Sequence, residues 1–315
     1  MRAAIASLTA GLLFASMSCT QQQAATPHQD KQSRPKFSWP APGNVITTET
    51  TTKNGRTAKS RYTIKVANHT DGNSLRLRHE DYEFLEVEGQ DAKTPRMQKV
   101  LASTQAMASV IPDYRITNTG SYAETVEVDE MIARKLPSLS KHFGDSEEQA
   151  ARIRAQFLRP EFNELMQGTL SKYWNSWVGE WRNWDVDTGK TTDQKSVADI
   201  FGLKVPCILR RTHHGNAPDY PGHVRLSIRT IITRQDATDA MVKLLSEQSD
   251  EETSLTIREK IEAVTMTRQI EVITRLDTLQ PVWARSDMGT TLKQSGADQP
   301  QEKVERHEYT FTWPK

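Results

Sequence analysis

Both ends of the chain alternate apolar and polar residues, and this pattern constrains the fold more than any other feature of the sequence. In the last segment every second residue is an aromatic residue or a histidine: His307, Tyr309, Phe311 and Trp313. Residues 61–66 alternate in the same way. Because neighbouring side chains of a β-strand point to opposite faces, these segments predict strands with one buried and one solvated face.

Turn signals divide the first alternating region into a meander. Gly-containing turns at residues 54–55 and 71–73 predict about three strands over residues 45–88. Tyr82 falls out of phase with the inner face of the last of these strands. A bulge near residues 80–81, or a loop there, would restore the phase.

The middle of the chain, residues 94–181, changes to the spacing of helices. Pro95 follows a capping Thr and is typical of the first position of a helix. Helical periodicity also covers residues 127–136 and, after a capping-box-like start, residues 145–173. Pro160 predicts a kink in this last helix or its division into two.

Strands at both ends and helices between them favour the α+β class. We predict antiparallel sheet regions at residues 45–88 and, mainly, 206–313, with a central helical segment packed on them. A curved sheet or an incomplete β-barrel would fit this order. The folded part, residues 45–315, is either one large domain or two similar lobes, and its length does not decide between them.

The first residues of the chain are typical of an export signal. Residues 3–15 form a charge-free apolar run after Arg2, and small residues follow it up to Cys19. A run of this length is too short to span a bilayer, which takes about 20 apolar residues. We therefore predict a signal peptide over residues 1–18.

Cys19, with Ser18 before it and Ser16 three positions upstream, resembles the lipobox of bacterial lipoproteins. Ser16 departs from the family pattern, which usually has an aliphatic residue there, so simple secretory cleavage is the alternative. The resemblance implies lipidation of Cys19 and attachment to the outer membrane, facing the periplasm. The alternative implies a soluble periplasmic or secreted protein. Residues 19–44 are rich in Gln and Pro and predict a disordered tether.

Four of the seven tryptophans lie within eleven residues: Trp174, Trp177, Trp181 and Trp184. A continuous helix would place them on one face, whereas Gly179 would end the helix and leave the last two in a loop. Aromatic residues at this spacing are typical of a core. The alternative is a patch that binds an apolar or sugar-like ligand or a partner protein.

The Trp-x-x-Trp-Val-Gly-x-Trp stretch, Gly189 and the closing aromatic strand resemble exported proteins and lipoproteins of unknown function from Gram-negative bacteria. This resemblance implies an envelope location and no mechanism. In architecture alone, the order of elements is also similar to periplasmic lipoprotein chaperones, in which helices close an incomplete β-barrel. That likeness implies an apolar cleft between sheet and helices.

The sequence lacks the usual signatures of catalysis. It contains no Gly-x-Ser-x-Gly elbow, no His-Glu-x-x-His pair and no phosphate-binding Gly-x-x-x-x-Gly-Lys loop. His213 and His214 are adjacent, so on a strand they would point to opposite faces and not share a metal ion. A loop geometry that joins them to Asp219 is the alternative. We predict no catalytic residue, metal or cofactor.

The charges of the chain argue against a nucleic-acid surface, because 41 basic and 40 acidic residues nearly cancel. The sequence therefore favours a non-catalytic envelope lipoprotein that binds a hydrophobic ligand or a partner protein. The alternatives are a structural or assembly scaffold of the envelope and, less favoured, a metal-dependent hydrolase.

Overall fold

The computed structural model describes residues 17–20, 35–126, 128–143, 146–200, 202–247 and 250–314. The strands are β1 (Met17–Thr20), β2 (Gly43–Lys53), β3 (Arg56–Asn68), β4 (Ser74–Val87), β5 (Gln90–Asp91), β6 (Asp113–Thr117), β7 (Tyr122–Val126), β8 (Thr191–Ile200), β9 (Leu203–Asn216), β10 (Val224–Ile231), β11 (Ile261–Thr274), β12 (Pro281–Gln294) and β13 (Gln301–Thr312). The helices are α1 (Pro95–Ala108), α2 (Val128–Phe143), α3 (Glu147–Phe157), α4 (Pro160–Trp177), α5 (Arg234–Glu247) and α6 (Glu251–Lys260).

The described strands form one antiparallel sheet in the order β1-β8-β9-β10-β11-β12-β13-β2-β3-β4-β6-β7, and β5 pairs with β4. The sheet is not closed, since β1 and β7 lie at its two ends. The prediction of an α+β protein with antiparallel sheet is thus confirmed. The predicted, mainly helical middle of the chain contains α1 to α4. It also contains β6, where residues 114–116 predict a short strand, and β7, which was not predicted; both extend the sheet.

The phase change in β4 is a β-bulge. Arg61 pairs with Glu83 and Thr63 with Glu80, so Tyr62 alone faces both Asp81 and Tyr82. Asp81 has a positive φ of 55°, and the extra residue turns Tyr82 onto the face that carries the core. The predicted bulge is confirmed.

The helix break at Pro160 is also as predicted. α3 ends at Phe157 and α4 begins at Pro160, where the missing N–H costs no helical hydrogen bond. α2 is longer than predicted, because it continues through Pro137. Ile132 and Leu139 are buried on either side of that proline and offset the hydrogen bond that it cannot make.

The sheet curls around the segment that begins at residue 35 and precedes β2. The N–H of Lys36 donates to the carbonyl of Leu276 in the turn between β11 and β12 (2.8 Å). The next residue, Phe37, packs against Gly120 in the turn between β6 and β7, where an added Cβ would lie 2.7 Å from the Phe37 ring. β12 and β6 are five strand spacings apart, or roughly 24 Å in a flat sheet. Only a curled sheet brings both turns to adjacent residues.

Trp39 anchors the same segment in the core. It is 5% exposed, its indole N–H donates to the carbonyl of Leu279 (3.1 Å), and its ring centroid lies 4.9 Å from that of Trp174. Residues 35–44 of the predicted tether therefore belong to the folded body, since two aromatic side chains interrupt its polar composition and its last two residues begin β2. Residues 1–16 of the predicted signal peptide and residues 21–34 of the tether lie outside the described residues.

The structure describes Cys19 only as part of the backbone of β1, where it pairs with Ala198 of β8. Its lipidation stays a prediction. None of the described helices is long and apolar enough to cross a membrane.

Within the described ranges, three groups of buried side chains form the core. The largest lies between the inner face of the sheet and α4 and contains Trp39 and the four tryptophans of residues 174–184. A second joins α5 and α6 to β8, β9, β11 and β12, and a third lies among α1, α2 and α3. α4 thus crosses the inside of the curl, and the space on either side of it is where cavities form.

The contact between Phe37 and Gly120 generates a stability prediction. Gly120 has a φ of +81°, and an added Cβ would also lie 2.9 Å from Arg182 Cδ. We expect Gly120→Ala to lower the free energy of unfolding by about 2–4 kcal/mol, from backbone strain plus overpacking. Gly72 has a similar φ of +68° with open space around it, so Gly72→Ala should cost only about 1–2 kcal/mol. Equal losses in chemical denaturation would contradict the close packing of Phe37 and Arg182 against Gly120.

Candidate functional site

Inside the curl, one cavity lies on each side of α4. The large cavity, of about 530 Å³, is bounded by β2, β3, β4 and β13 and by α4 with the ends of α1 and α3. The small cavity, of about 260 Å³, is bounded by α4, β11, β12 and β13. The two share Thr169, Tyr173, Glu305 and His307 as a common wall.

The large cavity is mainly apolar. Twelve of its twenty lining residues are aliphatic or aromatic, including Tyr62, Phe84, Phe157 and Leu170. Its charged groups are concentrated on the β2 and β13 side, where Glu49, Glu305 and His307 lie. An amphipathic molecule would therefore meet a different chemistry at each end of this cavity.

Antiparallel pairing builds the floor of the large cavity. Glu49 pairs with Ser60, which pairs with Phe84, so three strands place these side chains in one row, and Tyr309, which lines the small cavity, continues the row on β13. His307 pairs with Thr51 in the next row on the same face. Residues two apart on each strand share this face, and the floor follows directly from the register.

A cluster of two carboxylates and one imidazole forms the polar end of the cavity. His307 Nδ1 lies 2.9 Å from Glu49 Oε1, and His307 Nε2 lies 2.9 Å from Glu305 Oε1. These three side chains are only 13 to 26% exposed. Since both ring nitrogens face carboxylates, both donate hydrogen bonds and the ring carries a positive charge.

The charge state of His307 is set by opposing effects. Burial alone would lower its pKa, but the hydrogen bonds to Glu305 and Glu49 and their negative charges outweigh burial and raise the pKa to about 9. The hydrogen bond to His307 in turn lowers the pKa of the Glu305 carboxyl. Burial raises the pKa of the neighbouring Tyr173 and Tyr309 phenols, which stay neutral.

The pKa of His79, on the opposite wall of the large cavity, is shifted in the other direction from that of His307. The His79 ring stacks on Tyr62 at 4.9 Å, and its Nε2 lies 3.3 Å from the Tyr114 hydroxyl. Burial lowers its pKa to about 4, so it is neutral at physiological pH. Among the described residues its Nδ1 has no hydrogen-bond partner. The cavity thus has one charged and one neutral histidine.

The four tryptophans predicted as a ligand or partner patch are core residues. Trp174 and Trp177 end α4, Trp181 ends a short 3₁₀ turn and Trp184 follows it in a loop, and none is more than 5% exposed. None of them lines either cavity. They support the site instead, since Trp177 stacks on Tyr173 with centroids 6.0 Å apart. A role in binding a partner stays a prediction.

The histidine pair is separated as strand geometry predicts. His213 is buried and accepts a hydrogen bond from the N–H of Gly215, whereas His214 is exposed with its Nε2 2.8 Å from the Ser227 hydroxyl. Within the described part of the chain, no group of three or more His, Cys, Asp or Glu residues is arranged to hold a metal ion.

Our sequence analysis did not single out several polar residues of the cavities, among them Glu49, Arg268 and Lys172. Glu49 falls in phase with the buried Val45 and Thr47 of β2. Arg268 interrupts the buried alternate positions of β11 between Met266 and Ile270, and Lys172 lies beside Tyr173 on α4. The signal was available, because a charged residue on an apolar face is a more informative observation than a further apolar one.

Comparison with known proteins gives little. No protein-family model and no curated protein matches the chain. Among solved structures, it is similar to one that describes lipid-protein interactions in lipovitellin, with 9% identity and a TM-score of 0.40. The similarity covers 86% of this chain and 25% of that one, so this chain spans about a quarter of its length. A similarity of this size carries no argument about function.

The carboxylate–histidine cluster predicts a pH-dependent stability. Because the folded pKa of about 9 lies above the ordinary 6.5, the cluster stabilises the fold below pH 6.5 and loses this contribution as pH rises through 9. The difference corresponds to about 3 kcal/mol. Chemical denaturation between pH 6.5 and 9 should show this fall in the wild type and not in His307→Gln.

His79→Phe is the matched control for this experiment. The pKa of His79 in the folded protein is about 4, below its ordinary value of 6.5. Protonation of His79 in the unfolded state therefore lowers the stability of the wild type only as pH falls from 6.5 toward 4. The His79→Phe variant should therefore keep the alkaline loss and lack the acidic one. An alkaline loss that persists in His307→Gln would contradict the charge state assigned to the cluster.

Proposed function

We propose that this protein is a non-catalytic carrier of the cell envelope that binds an apolar chain in its large cavity. One observation carries the proposal: a cavity of about 530 Å³ has mainly apolar walls and a single charged end. Binding sites for small molecules typically measure about 300–1,000 Å³ and combine apolar walls with a few polar groups that orient the ligand.

The histidines favour binding over acid–base catalysis. A general base needs a free lone pair and a pKa near the working pH. In His307 both nitrogens are occupied by carboxylates, and the pKa of about 9 keeps the ring protonated. His79 has a pKa of about 4, too low for an effective base at neutral pH.

A cavity-filling substitution tests the proposal. Ala58 lines the large cavity on β3, and Ala58→Phe should lower the affinity for a neutral apolar probe, dodecanol, at least tenfold, or about 1.4 kcal/mol. Equilibrium dialysis with labelled dodecanol measures the affinity. Ala123→Phe, on the exposed side of β7, is the matched control and should bind as the wild type does.

Two results would contradict a carrier of apolar chains. One is the absence of dodecanol binding to the folded wild-type protein. The other is the same loss of binding in Ala58→Phe and Ala123→Phe, which would mean that the large cavity is not where the probe binds.

The envelope address is a separate part of the proposal. It rests on the resemblance of residues 16–19 to a lipobox, which implies a mature chain that begins with a diacylated Cys19. Mass spectrometry of the protein from its native host should find that modified N-terminus, and Cys19→Ser should move the protein from the membrane to the soluble fraction. An intact starting Met1 would contradict export.

A further inference from the structure

The small cavity has two cations on facing walls. Strand pairing aligns Arg268 of β11 with Met288 of β12 and Glu305 of β13 in one row across the sheet. Lys172 of α4 lies on the opposite wall. The only acid that lines this cavity among the described residues is Glu305.

Among the residues that the structure describes, neither cation has an ion-pair partner. Within the described part of the chain, the side chains of Lys172 and Arg268 form no hydrogen bond and no ion pair within 4.0 Å. Burial lowers the pKa of the Lys172 amine, and the positive charge of Arg268 lowers it further, against the opposing charges of Glu305 and Asp199. Half-buried charges of one sign are costly unless something neutralises them.

The nearby carboxylates are engaged elsewhere. Glu305 accepts a hydrogen bond from the positively charged His307 ring, and Asp199 pairs with Lys204 at 2.5 Å. His307 neutralises only one of the two carboxylates that it contacts, Glu49 and Glu305, so this cluster can offset only one of the two positive charges of Lys172 and Arg268. An anion bound between Lys172 and Arg268 would supply the remaining negative charge.

A hydroxyl donor is available beside the two cations. Ser286 lines the small cavity, and its side chain makes no hydrogen bond to a described residue. The hydroxyls of Thr169 and Ser176 already donate to carbonyls of their own helix. Lys172, Arg268 and Ser286 thus provide donors from three elements that converge on one space, as recognition of a carboxylate or phosphate requires.

We infer that the small cavity binds the anionic headgroup, a carboxylate or a phosphate, of a single-chain amphiphile whose chain occupies the large cavity. The inference rests on the proposed function, because it assigns the polar end of the same ligand. The two cavities are adjacent, because Thr169, Tyr173, Glu305 and His307 line both, so a headgroup in the small cavity would lie next to a chain in the large one. A large-cavity volume of about 530 Å³, in the middle of the range for small ligands, suits one chain better than two.

Matched probes with one chain and different heads test the inference. Dodecanoate, dodecyl phosphate and dodecanol are titrated into the full chain, and affinities are measured by equilibrium dialysis. The double variant Lys172→Met, Arg268→Met removes both charges and keeps side chains of similar length. It should lower the affinity for one or both anionic probes at least tenfold and leave dodecanol binding unchanged.

Arg229→Met is the matched control, because Arg229 is an exposed arginine of β10. It should leave all three affinities unchanged. If the double variant does not fold, Arg268→Lys and Arg268→Met replace it. The lysine variant keeps the charge and should retain most of the affinity for the anionic probes, whereas the methionine variant should lose it.

The outcomes separate the two proposals. If no probe binds the wild type, the proposed function fails and this inference fails with it. If dodecanol binds as tightly as the anionic probes, or if the charge-removing variants weaken all three probes equally, the anionic site is refuted and the carrier function stands. Which anionic probe binds more tightly distinguishes a carboxylate from a phosphate head.

Discussion

The curl of the sheet depends on one aromatic junction at its end. Trp174 of α4 packs against Phe37 and Trp39, and its indole N–H donates to the carbonyl of Gly120 in the turn between β6 and β7 (2.8 Å). The segment that carries Phe37 and Trp39 is also hydrogen-bonded to the turn between β11 and β12. Because Gly120 has no side chain, these groups approach closely enough to hold strands from distant parts of the sheet around one helix.

The curl decides the chemistry of the inner face. On a flat sheet Glu49 and His307 would face water, and their charges would interact weakly. Inside the curl they are largely removed from water, and the hydrogen bonds among Glu49, His307 and Glu305 compensate for the lost hydration. The same burial, without carboxylate partners, keeps His79 neutral. Opposite charge states of two histidines in one cavity thus have one cause, the presence or absence of paired carboxylates.

The tryptophans pack the core beside the cavities and do not line the cavities. The four indoles near residues 174–184 fill the space where α4 meets the sheet, and three of them donate to backbone carbonyls. This frame fixes the end of α4, which carries Tyr173 and Lys172 to the walls of the cavities. A densely packed region next to an open cavity is typical of a preformed binding site, because the free energy of binding is then not reduced by the ordering of the cavity walls.

Local patterns in the sequence determined the strands, the bulge at Asp81 and the helix break at Pro160, since each depends on residues only a few positions apart. They left open whether the helix ends at Gly179, and the structure ends α4 at Trp177. Composition concealed the two aromatic anchors at Phe37 and Trp39 within a polar stretch. Only the tertiary structure decided that Glu49 meets His307, 258 residues later. Such contacts depend on the order in which strands pair across the whole chain, and local periodicity carries no information about that order.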